Sequence, residues 1–538
     1  MFRQIKTRRT GSMEAKLSSE NARVARAAGV VGISTMLSRI FGFIRDMVVA
    51  RYFGAGLATD AFFAAFRIPN LLRRLLAEGS LTVSFVPVFT EYLKVKSKEE
   101  ALELANVAFT MLSIILVVVS LLGVLLSPYI VALMAPGFMK EPDKFALTVL
   151  LTKIMFPYIF FISLVALCMG ILNSLRHFAA PALSPVVLNI SMIAAALFLR
   201  DFFAEPILAL SVGVMVGGLL QLGMQVPALL QKGVRLRPDY NFRHPGVKRI
   251  GALMVPAAFG AAVYQINIFI STLIASFLPG GSVSFLYYAD RVVELPLGVF
   301  AIAIGTASLP SLSEQVSKGE FEAMKETLSF SLRLILFIAI PATIALIGLR
   351  EPIISVLFQR GAFDSTSTIL TAQALFYYSL GLWAFSAIRV VISGFYAFQD
   401  TTTPVKVGVA ALIINTVFSV ALMFPLKHGG LALATSIATA FNVVVLYIIL
   451  KKRIGGFLKH GFIGSIGRIL SASFIMWGSF LLIGVFFPWD NNGALAYKVV
   501  LLAGLVMVGL GTFLVAAYAL KIREMHFIWG IVKRRLGR

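Results

Sequence analysis

The chain has 538 residues, of which 59% are hydrophobic and 14% are charged, whereas soluble domains average about 45–50% and about 25%. This composition excludes a soluble globular protein, a disordered chain and a disulfide scaffold, and it predicts an integral membrane protein with many spans. The 48 Lys and Arg outnumber the 25 Asp and Glu, for a net charge of +23, which nucleic acid, anionic lipid, topology signals or an anionic substrate could each explain.

Residues 1–22 are polar and basic and lack the apolar core of a signal peptide, so we predict a basic cytoplasmic tail. Apolar segments long enough to cross a bilayer then follow one another. We predict fourteen spans, at residues 27–50, 58–91, 101–127, 145–174, 181–200, 206–230, 247–277, 283–313, 324–348, 368–397, 404–425, 429–451, 464–488 and 495–520.

The basic residues alternate between successive loops. Lys and Arg concentrate before the first span and after the second, fourth, sixth, twelfth and last spans, whereas the loops at 279–281 and 489–493 have none. Because cytoplasmic loops carry the excess of Lys and Arg, we predict that both termini are cytoplasmic. Most of the net charge therefore orients the chain, and its spread over many loops argues against nucleic-acid binding.

Several sequence words recur about 223 residues apart, which predicts an internal repeat. Phe85-Val86-Pro87 matches Ser308-Leu309-Pro310, Pro181 matches Pro404, and Leu208-Ala209-Leu210 matches Leu431-Ala432-Leu433. We therefore predict an all-α polytopic membrane protein with 14 transmembrane helices: two pseudo-symmetric six-helix lobes around a central cavity, plus two C-terminal helices. The predicted parts are the tail at 1–22, the lobes at 23–235 and 236–455, and helices 13–14 with a basic C-terminus at 456–538.

Three spans carry ionisable residues well inside the membrane, where each costs about 2.5–3.5 kcal/mol and marks a functional site by default. These residues are Arg39, Arg45 and Asp46 in the first span, Asp60, Arg67, Arg73, Arg74 and Glu78 in the second, and Asp290, Arg291 and Glu294 in the eighth. Arginine matches phosphate oxygens with paired hydrogen bonds. A cavity with more arginines than acids therefore predicts an anionic substrate, and a diphosphate would suit it.

Helical spacing indicates how these charges could face a cavity. Arg67, Asn70, Arg74 and Glu78 have the spacing of one stripe along the second helix. Arg291 and Glu294 are three residues apart and can form an ion pair.

The same charges also have structural explanations. Arg45 can snorkel to an interface, Asp46 can neutralise an arginine, and Arg73 and Arg74 can reach the headgroups. Glu78 is as well suited to an ion pair as to a substrate contact.

The sequence resembles the MurJ (MviN) family of bacterial lipid II flippases. The resemblance is carried by ordered words in the segment from Met36-Leu37-Ser38-Arg39 to Phe85-Val86-Pro87, and by Tyr287-Tyr288-Ala289-Asp290-Arg291. It continues in Gly394-Phe395-Tyr396 and Thr403-Pro404-Val405-Lys406 and covers essentially everything after residue 22.

The resemblance implies a flippase of the multidrug/oligosaccharidyl-lipid/polysaccharide exporter superfamily, not an enzyme, with no cofactor. The implied substrate is lipid II, the undecaprenyl-diphosphate-linked peptidoglycan precursor, moved from the inner to the outer leaflet of the bacterial cytoplasmic (inner) membrane by alternating access. We expect a monomer beside the peptidoglycan-synthesis machinery, with the polyprenyl tail along the last two helices. The substrate-binding residues expected from the resemblance are Arg39, Arg45, Asp60, Arg73, Arg74, Glu78, Arg291 and Glu294.

Metal sites are not predicted. Cys168 is the single cysteine, and the five histidines have no metal-ligand spacing. Some members of the resembled family are thought to use sodium through carboxylates in the seventh and eleventh spans. This chain has Gln265, Asn267 and Asn415 there instead, which puts a sodium site in doubt.

Two alternatives remain at this stage. A related polysaccharide-lipid or multidrug exporter is the first, although a drug exporter would favour an acidic, aromatic cavity over arginines. A polytopic glycosyltransferase is the second, but it would need catalytic carboxylates on a sizeable outer loop, and the outer loops are mostly under about 20 residues.

Overall fold

The computed structural model describes residues 29–74, 80–458, 461–491, 493–525 and 529–530, without the side chains of residues 82, 257–264 and 299–300. Within these ranges the chain forms helices joined by short turns and contains no β-strand. The predicted all-α class is therefore confirmed.

The helices are numbered here in chain order. The first group comprises α1 at 29–53, α2 (Leu57–Leu72), α3 (Thr82–Val95), α4 (Lys98–Leu125), α5 (Ser127–Met134), α6 (Pro142–Met155), α7 (Tyr158–Ser174), α8 (Ala179–Phe198) and α9 (Leu208–Gln231). The second group comprises α10 (Pro245–Ala275), α11 (Ser282–Pro296), α12 (Ile302–Ser317), α13 (Phe321–Gly348), α14 (Arg350–Phe358), α15 (Ser365–Ser379), α16 (Leu382–Ala397), α17 (Thr402–Leu426), α18 (His428–Ile454), α19 (Phe462–Phe486) and α20 (Leu495–Ala519).

Among the described residues, ten helical segments are long and apolar enough to cross a membrane. They are Lys98–Leu125, Pro142–Ser174, Ala179–Phe198, Leu208–Gln231, Phe321–Gly348, Ser365–Ala397, Thr402–Leu426, His428–Ile454, Phe462–Phe486 and Leu495–Ala519. Each coincides with one of the predicted spans. The remaining four predictions fall on α1, α2–α3, α10 and α11–α12, and three of these four carry the ionisable residues singled out above.

The chain forms two compact units. The first contains residues 29–49, 65–131 and 146–265, and the second contains 50–64, 132–145 and the described residues from 266 onward. The first unit has an apolar core built around Phe85, Phe89, Leu104 and Ile171. The second has one core around Leu328, Val390 and Leu446, and another where α13 meets α19 and α20.

The helix pattern repeats at the offset seen in the sequence words. Helices α4, α5, α6 and α8 begin at residues 98, 127, 142 and 179, and α13, α14, α15 and α17 begin 223 residues later, at 321, 350, 365 and 402. The hairpin of α8 and α9 has its counterpart in the hairpin of α17 and α18. The chain therefore carries the same order of helices twice, which agrees with the predicted internal repeat.

A helical irregularity also recurs. The backbone is π-helical at residues 73–74 and 80–81, after α2, and again at Leu297–Ala301, after α11. Residue 74 is 223 positions before 297. A π-turn shifts the hydrogen-bond pattern from i+4 to i+5, is rare, and is frequent at functional sites.

Candidate substrate-binding site

In the first unit, Arg45 lies at the centre of a buried polar cluster between α1 and α8. Its Nε and Nη2 donate to Asp46 Oδ1 at 3.0 and 2.6 Å, and its Nη1 donates to Asn189 Oδ1 at 3.0 Å. Asn189 Nδ2 in turn donates to the Ser38 carbonyl at 3.2 Å. Arg45 and Asp46 are 8% and 1% exposed. The two charges compensate each other, which is what allows an arginine to stay inside an apolar helix bundle.

The other predicted residues of the first unit are more accessible. Arg39 and Arg74 are exposed, while Arg73 is partly buried and its Nε donates to Asn70 Oδ1 at 3.0 Å. Glu78 lies outside the described residues. The unit thus presents accessible guanidinium groups together with the neutralised Arg45.

The stripe predicted on the second helix does not continue as an α-helical stripe. Asn70 accepts a hydrogen bond from Arg73, and the backbone changes from α to π geometry at residues 73–74. Because each π-helical residue advances by a smaller angle than an α-helical residue, spacing counted on a regular helix fails beyond this point.

In the second unit, the Asp60 carboxylate binds four donors. Lys144 Nζ and the Gly281 backbone N–H donate to Oδ2 at 3.0 and 2.7 Å. The Ser284 backbone N–H and hydroxyl donate to Oδ1 at 2.9 and 2.7 Å. Asp60 is 1% exposed and Lys144 is fully buried. The carboxylate therefore joins α2, α6 and the N-terminus of α11, where it also faces the positive end of the helix dipole.

The local backbone makes this contact possible. Gly281, directly before α11, has a φ of +89°, a left-handed conformation that favours glycine. A Cβ at this position would also lie 2.6 Å from the Phe285 ring. Glycine thus lets its N–H point at Asp60 while Phe285 stays packed.

Arg291 and Glu294 form the ion pair that their spacing predicts. Arg291 Nη1 lies 2.8 Å from Glu294 Oε2, Arg291 Nη2 donates to the Tyr287 hydroxyl at 3.2 Å, and the guanidinium carbon lies 4.9 Å from the Tyr287 ring centre. The Tyr287 ring stacks on Phe63 with centres 3.9 Å apart. Asp290 and Glu294 are exposed and Arg291 is partly so. The Tyr287 ring therefore packs against Arg291 on one side of the ion pair, while the other side is accessible to solvent.

The residues at the doubted sodium site form a neutral network. Asn415 Nδ2 donates to Asn267 Oδ1 at 2.8 Å, and the Thr435 hydroxyl lies 3.4 Å from Asn415 Oδ1. Asn415 is 2% exposed. These amide groups already bind each other and bring no carboxylate to balance the charge of a cation in a low-dielectric setting, so their arrangement does not fit a charge-balanced sodium site. Among the described residues, no cluster of three or more His, Cys, Asp or Glu could hold a metal.

A cavity of about 700 Å³ lies in the second unit, away from these residues. Its walls are formed by Gly319, Glu320, Phe321, Glu322, Lys325, Phe398, Arg453 and Ile454. Its polar side chains bind one another or adjacent loops: Lys325 binds Glu322 at 2.6 Å, and Arg453 binds Asp400 at 3.1 Å. We do not assign the cavity to the site.

Two residues of these clusters were not singled out from the sequence. Lys144 is close in sequence to Glu141 and Asp143 and has the pattern of a charged loop. Asn189 is a lone amide in an apolar helix. The one available signal was that Asp60 and Arg45, both placed inside spans, each required a polar partner elsewhere in the chain.

Comparison with known proteins points in one direction. A family model described as "Lipid II flippase MurJ" matches residues 49–500. A protein of Vibrio cholerae named "Probable lipid II flippase MurJ" is 38% identical over 509 residues, which cover 93% of this chain and 97% of the relative. A protein of Burkholderia cenocepacia named "Lipid II flippase MurJ" is 37% identical over 473 residues, which cover 87% of this chain and 92% of the relative.

Solved structures give the same picture. A structure titled "Lipid II flippase MurJ, inward closed conformation" superposes with a TM-score of 0.77 at 26% identity, covering 94% of this chain and 99% of that one. An inward-facing multidrug transporter of the MATE family has a TM-score of 0.64 at 16% identity and covers 80% of this chain. The latter likeness concerns the fold alone.

Proposed function

The chain belongs to the MurJ family of lipid II flippases, and on this premise we propose how its charged residues move lipid II from the inner to the outer leaflet. It is a multi-pass transporter of the bacterial inner membrane, not an enzyme. Its substrate, lipid II, carries a diphosphate between a sugar headgroup and a polyprenyl tail. The transport problem is therefore to hold an anion inside an apolar membrane while the tail stays in lipid.

The observation that carries the proposal is the buried Arg45 cluster. An arginine that only marked topology would lie at the interface, where no partner is needed. Arg45 is instead buried and held by Asp46 and Asn189. In our proposal the Arg45 cluster fixes α1 against α8 and so positions Arg39, while the exposed Arg39 and Arg74 and the partly buried Arg73 make the direct contacts with the diphosphate.

Arg291 and Glu294 are proposed to exchange partners during transport. Glu294 occupies one edge of the Arg291 guanidinium in the present arrangement, and an incoming phosphate would compete for that edge. Glu294 would thus release Arg291 to the substrate and take it back when the substrate leaves.

Asp60 is proposed to act on conformation. Its carboxylate holds α2, α6 and α11 together through four buried hydrogen bonds, so separation of these helix ends must break them. If both termini are cytoplasmic, as the loop charges indicate, the ends of α2, α6 and α11 that meet at Asp60 lie on the outer side of the membrane. The network would then keep the outer side closed until substrate binding favours the other state.

We further propose that fourteen helices form two six-helix lobes around a solvated cavity, with α19 and α20 guiding the tail. Support comes from the helix order repeated at an offset of 223 residues. The two lobes then rock in alternating access, as parallel-repeat transporters do. Contact with the peptidoglycan-synthesis machinery and a monomeric state remain part of this proposal.

The test is replacement of the native flippase in a depleted strain. Arg39→Ala and Arg291→Ala should abolish growth and leave lipid II inaccessible from outside the cell, while the protein still inserts. Arg249→Ala is the matched control, because Arg249 is exposed and paired with Glu91 at 2.9 Å in much the same way. Normal growth of well-expressed Arg39→Ala and Arg291→Ala strains would overturn the assignment of these residues.

The two alternative functions are less well supported. A drug exporter shares the fold, but its cationic substrates would not explain guanidinium groups on α1, α2 and α11. A glycosyltransferase is excluded by family membership.

A further inference from the structure

The segment between α9 and α10 is an irregular linker with one apolar face and one basic face. It begins at Gly233, whose φ of +73° reverses the chain after α9, and ends at the buried His244. Val234 is 2% exposed and Leu236 packs on the core of the first unit, whereas Arg235 and Arg237 are exposed. The period of two matches extended backbone, with apolar residues inward and basic residues outward.

This linker is attached along one face of α4. The Arg237 N–H donates to Asn106 Oδ1 at 2.9 Å, and the Asp239 N–H donates to Thr110 Oγ1 at 2.8 Å. Asn241 Nδ2 also donates to Glu103 Oε1 at 3.4 Å. The three acceptors are three and four residues apart, so they form a single stripe on the helix. The linker is therefore a fixed part of the first unit.

The position of this stripe fixes the depth that the linker reaches. At about 1.5 Å per residue, Thr110 lies about 18 Å from the start of α4. The exposed side chains that follow are apolar, namely Ile114, Ile115, Val117 and Val118. Before Thr110 the exposed residues of α4 are charged, namely Lys98, Glu99, Glu100 and Glu103. The stripe therefore spans the change from charged to apolar exposed side chains, which puts the tip of the linker near the membrane–water boundary.

The side chains at the tip suit such a boundary. Tyr240 is 68% exposed and Phe242 is 45% exposed, and their rings meet edge to face with centres 6.1 Å apart. Exposed aromatic rings at this level are typical of membrane interfaces.

The charge around the tip is positive. Lys232, Arg235, Arg237, Arg243 and Lys248 are exposed. They outnumber the neighbouring acids Asp239 and Glu103, which accept hydrogen bonds from the Asn241 N–H at 3.0 Å and the Asn241 side chain at 3.4 Å. A rim of guanidinium groups around two exposed aromatic rings is complementary to phosphate above an apolar layer.

We propose that the linker, residues 233–244, is a binding surface for anionic phospholipids of the membrane, separate from the transport site. Arg235, Arg237 and Arg243 bind the headgroup phosphates, and Tyr240 and Phe242 enter the upper acyl region. The chain segment that connects the two repeats is thereby tied to the bilayer surface. The proposal uses the membrane embedding of the protein and does not depend on transport.

The first experiment measures lipid binding by the purified full-length protein. The probes are phosphatidylglycerol and phosphatidylcholine with identical acyl chains, scored as bound lipid by native mass spectrometry. The variant Arg235→Gln/Arg237→Gln should weaken phosphatidylglycerol binding about tenfold, since each basic residue near an anionic surface contributes appreciably. Phosphatidylcholine binding should not change.

The matched control removes two exposed charges at the end of α18, as Lys451→Gln/Lys452→Gln. It should leave phosphatidylglycerol binding near the original level. An equal loss of phosphatidylglycerol binding in both double variants would show that the lipid is attracted non-specifically to a basic protein, and it would overturn the proposal. No loss in either would overturn it as well.

The second experiment asks whether the tip meets lipid or a water-borne partner. Tyr240→Trp in a bilayer should add fluorescence that brominated phosphatidylglycerol quenches more strongly than brominated phosphatidylcholine does. Quenching by aqueous iodide with none by brominated lipid would place the tip in water. A soluble protein partner would then be the better occupant, and the lipid proposal would fail.

Discussion

The Asp60 carboxylate lies 3.0 Å from the Lys144 ammonium, and both side chains are almost completely buried. Two charges so far from water are tolerated because each compensates the other and because the carboxylate also accepts three hydrogen bonds from Gly281 and Ser284. Without Asp60, the buried Lys144 ammonium keeps the more distant Glu141 carboxylate, 4.0 Å away. Loss of either partner therefore weakens the compensation of a buried charge.

Asp60→Ala should therefore lower the free energy of unfolding by about 3–5 kcal/mol, as removal of one partner of a buried pair does. Lys144→Met should cost less, because Asp60 would retain three donors. The double variant should cost less than the two single effects added. Thermal unfolding of the detergent-purified protein measures all three. Lys318→Met, which breaks the exposed pair of Lys318 with Glu314, is the control and should have little effect; an Asp60→Ala effect equally small would contradict the argument.

Asn189→Ala should reduce transport without abolishing it. The amide holds one edge of the Arg45 guanidinium and connects it to the Ser38 carbonyl, so its loss lets the guanidinium move while its charge remains. We expect lipid II flipping to fall about tenfold, in line with about 1.5–3 kcal/mol for a hydrogen bond to a charged group. Asn189→Asp should restore little of the activity, because its carboxylate can accept from Arg45 but cannot donate to the Ser38 carbonyl and adds a buried negative charge. Activity unchanged in Asn189→Ala would show that Arg45 needs no such orientation.

Transport should be independent of sodium. Asn267 and Asn415 satisfy each other and bring no negative charge to balance a cation. The measurement is the appearance of lipid II on the outer leaflet of reconstituted vesicles, in sodium buffer and in choline buffer of equal ionic strength and membrane potential. Equal rates are expected. If the transport rate in choline buffer were more than about fivefold lower and sodium restored it, another set of residues would have to bind the ion.

Asp400 should contribute to stability at neutral pH and lose this contribution only in acid. Its carboxylate accepts from the Thr403 N–H at 3.0 Å and hydroxyl at 2.8 Å, and it pairs with Arg453. The Thr403 backbone bond, helped by the Thr403 hydroxyl and Arg453, lowers the pKa of Asp400 below its ordinary value of 3.8. A lowered pKa stabilises the fold above 3.8, and the stabilisation disappears as pH falls through the folded-state pKa.

Asp400→Asn tests this pH dependence. The loss in melting temperature relative to the unmodified chain should be modest, because Asp400 is partly exposed and water weakens its interactions. It should stay constant from pH 7 to pH 5 and shrink below about pH 4. A difference that changes between pH 7 and pH 5 would point to another titrating group.

Much of the fold could be predicted because each membrane span requires a continuous run of apolar residues, which local composition reveals. The ten apolar segments each overlap a predicted span, and the Arg291–Glu294 pair follows directly from helical spacing. Both features depend on residues close together in sequence. Bilayer thickness and helix geometry supply the remaining information.

The partners of the buried charges could not be predicted in this way. Lys144 is 84 positions from Asp60, and Asn189 is 144 positions from Arg45, so no local pattern links either pair. The π-helical backbone at residues 73–74 could not be predicted either, since helical spacing was counted on a regular α-helix. Long-range packing and a change of helical pitch both require the folded chain.

The recurrence of that π-turn has a practical consequence for probe design. π-helical backbone follows both α2 and α11, and residue 74 corresponds to Leu297 at the 223-residue offset, so both copies carry an irregularity at this place. Numbering can be transferred between the copies by a constant shift that still holds afterwards, as Pro87 and Pro310 demonstrate. A spin label or crosslinking cysteine chosen on α3 accordingly has a ready counterpart on α12.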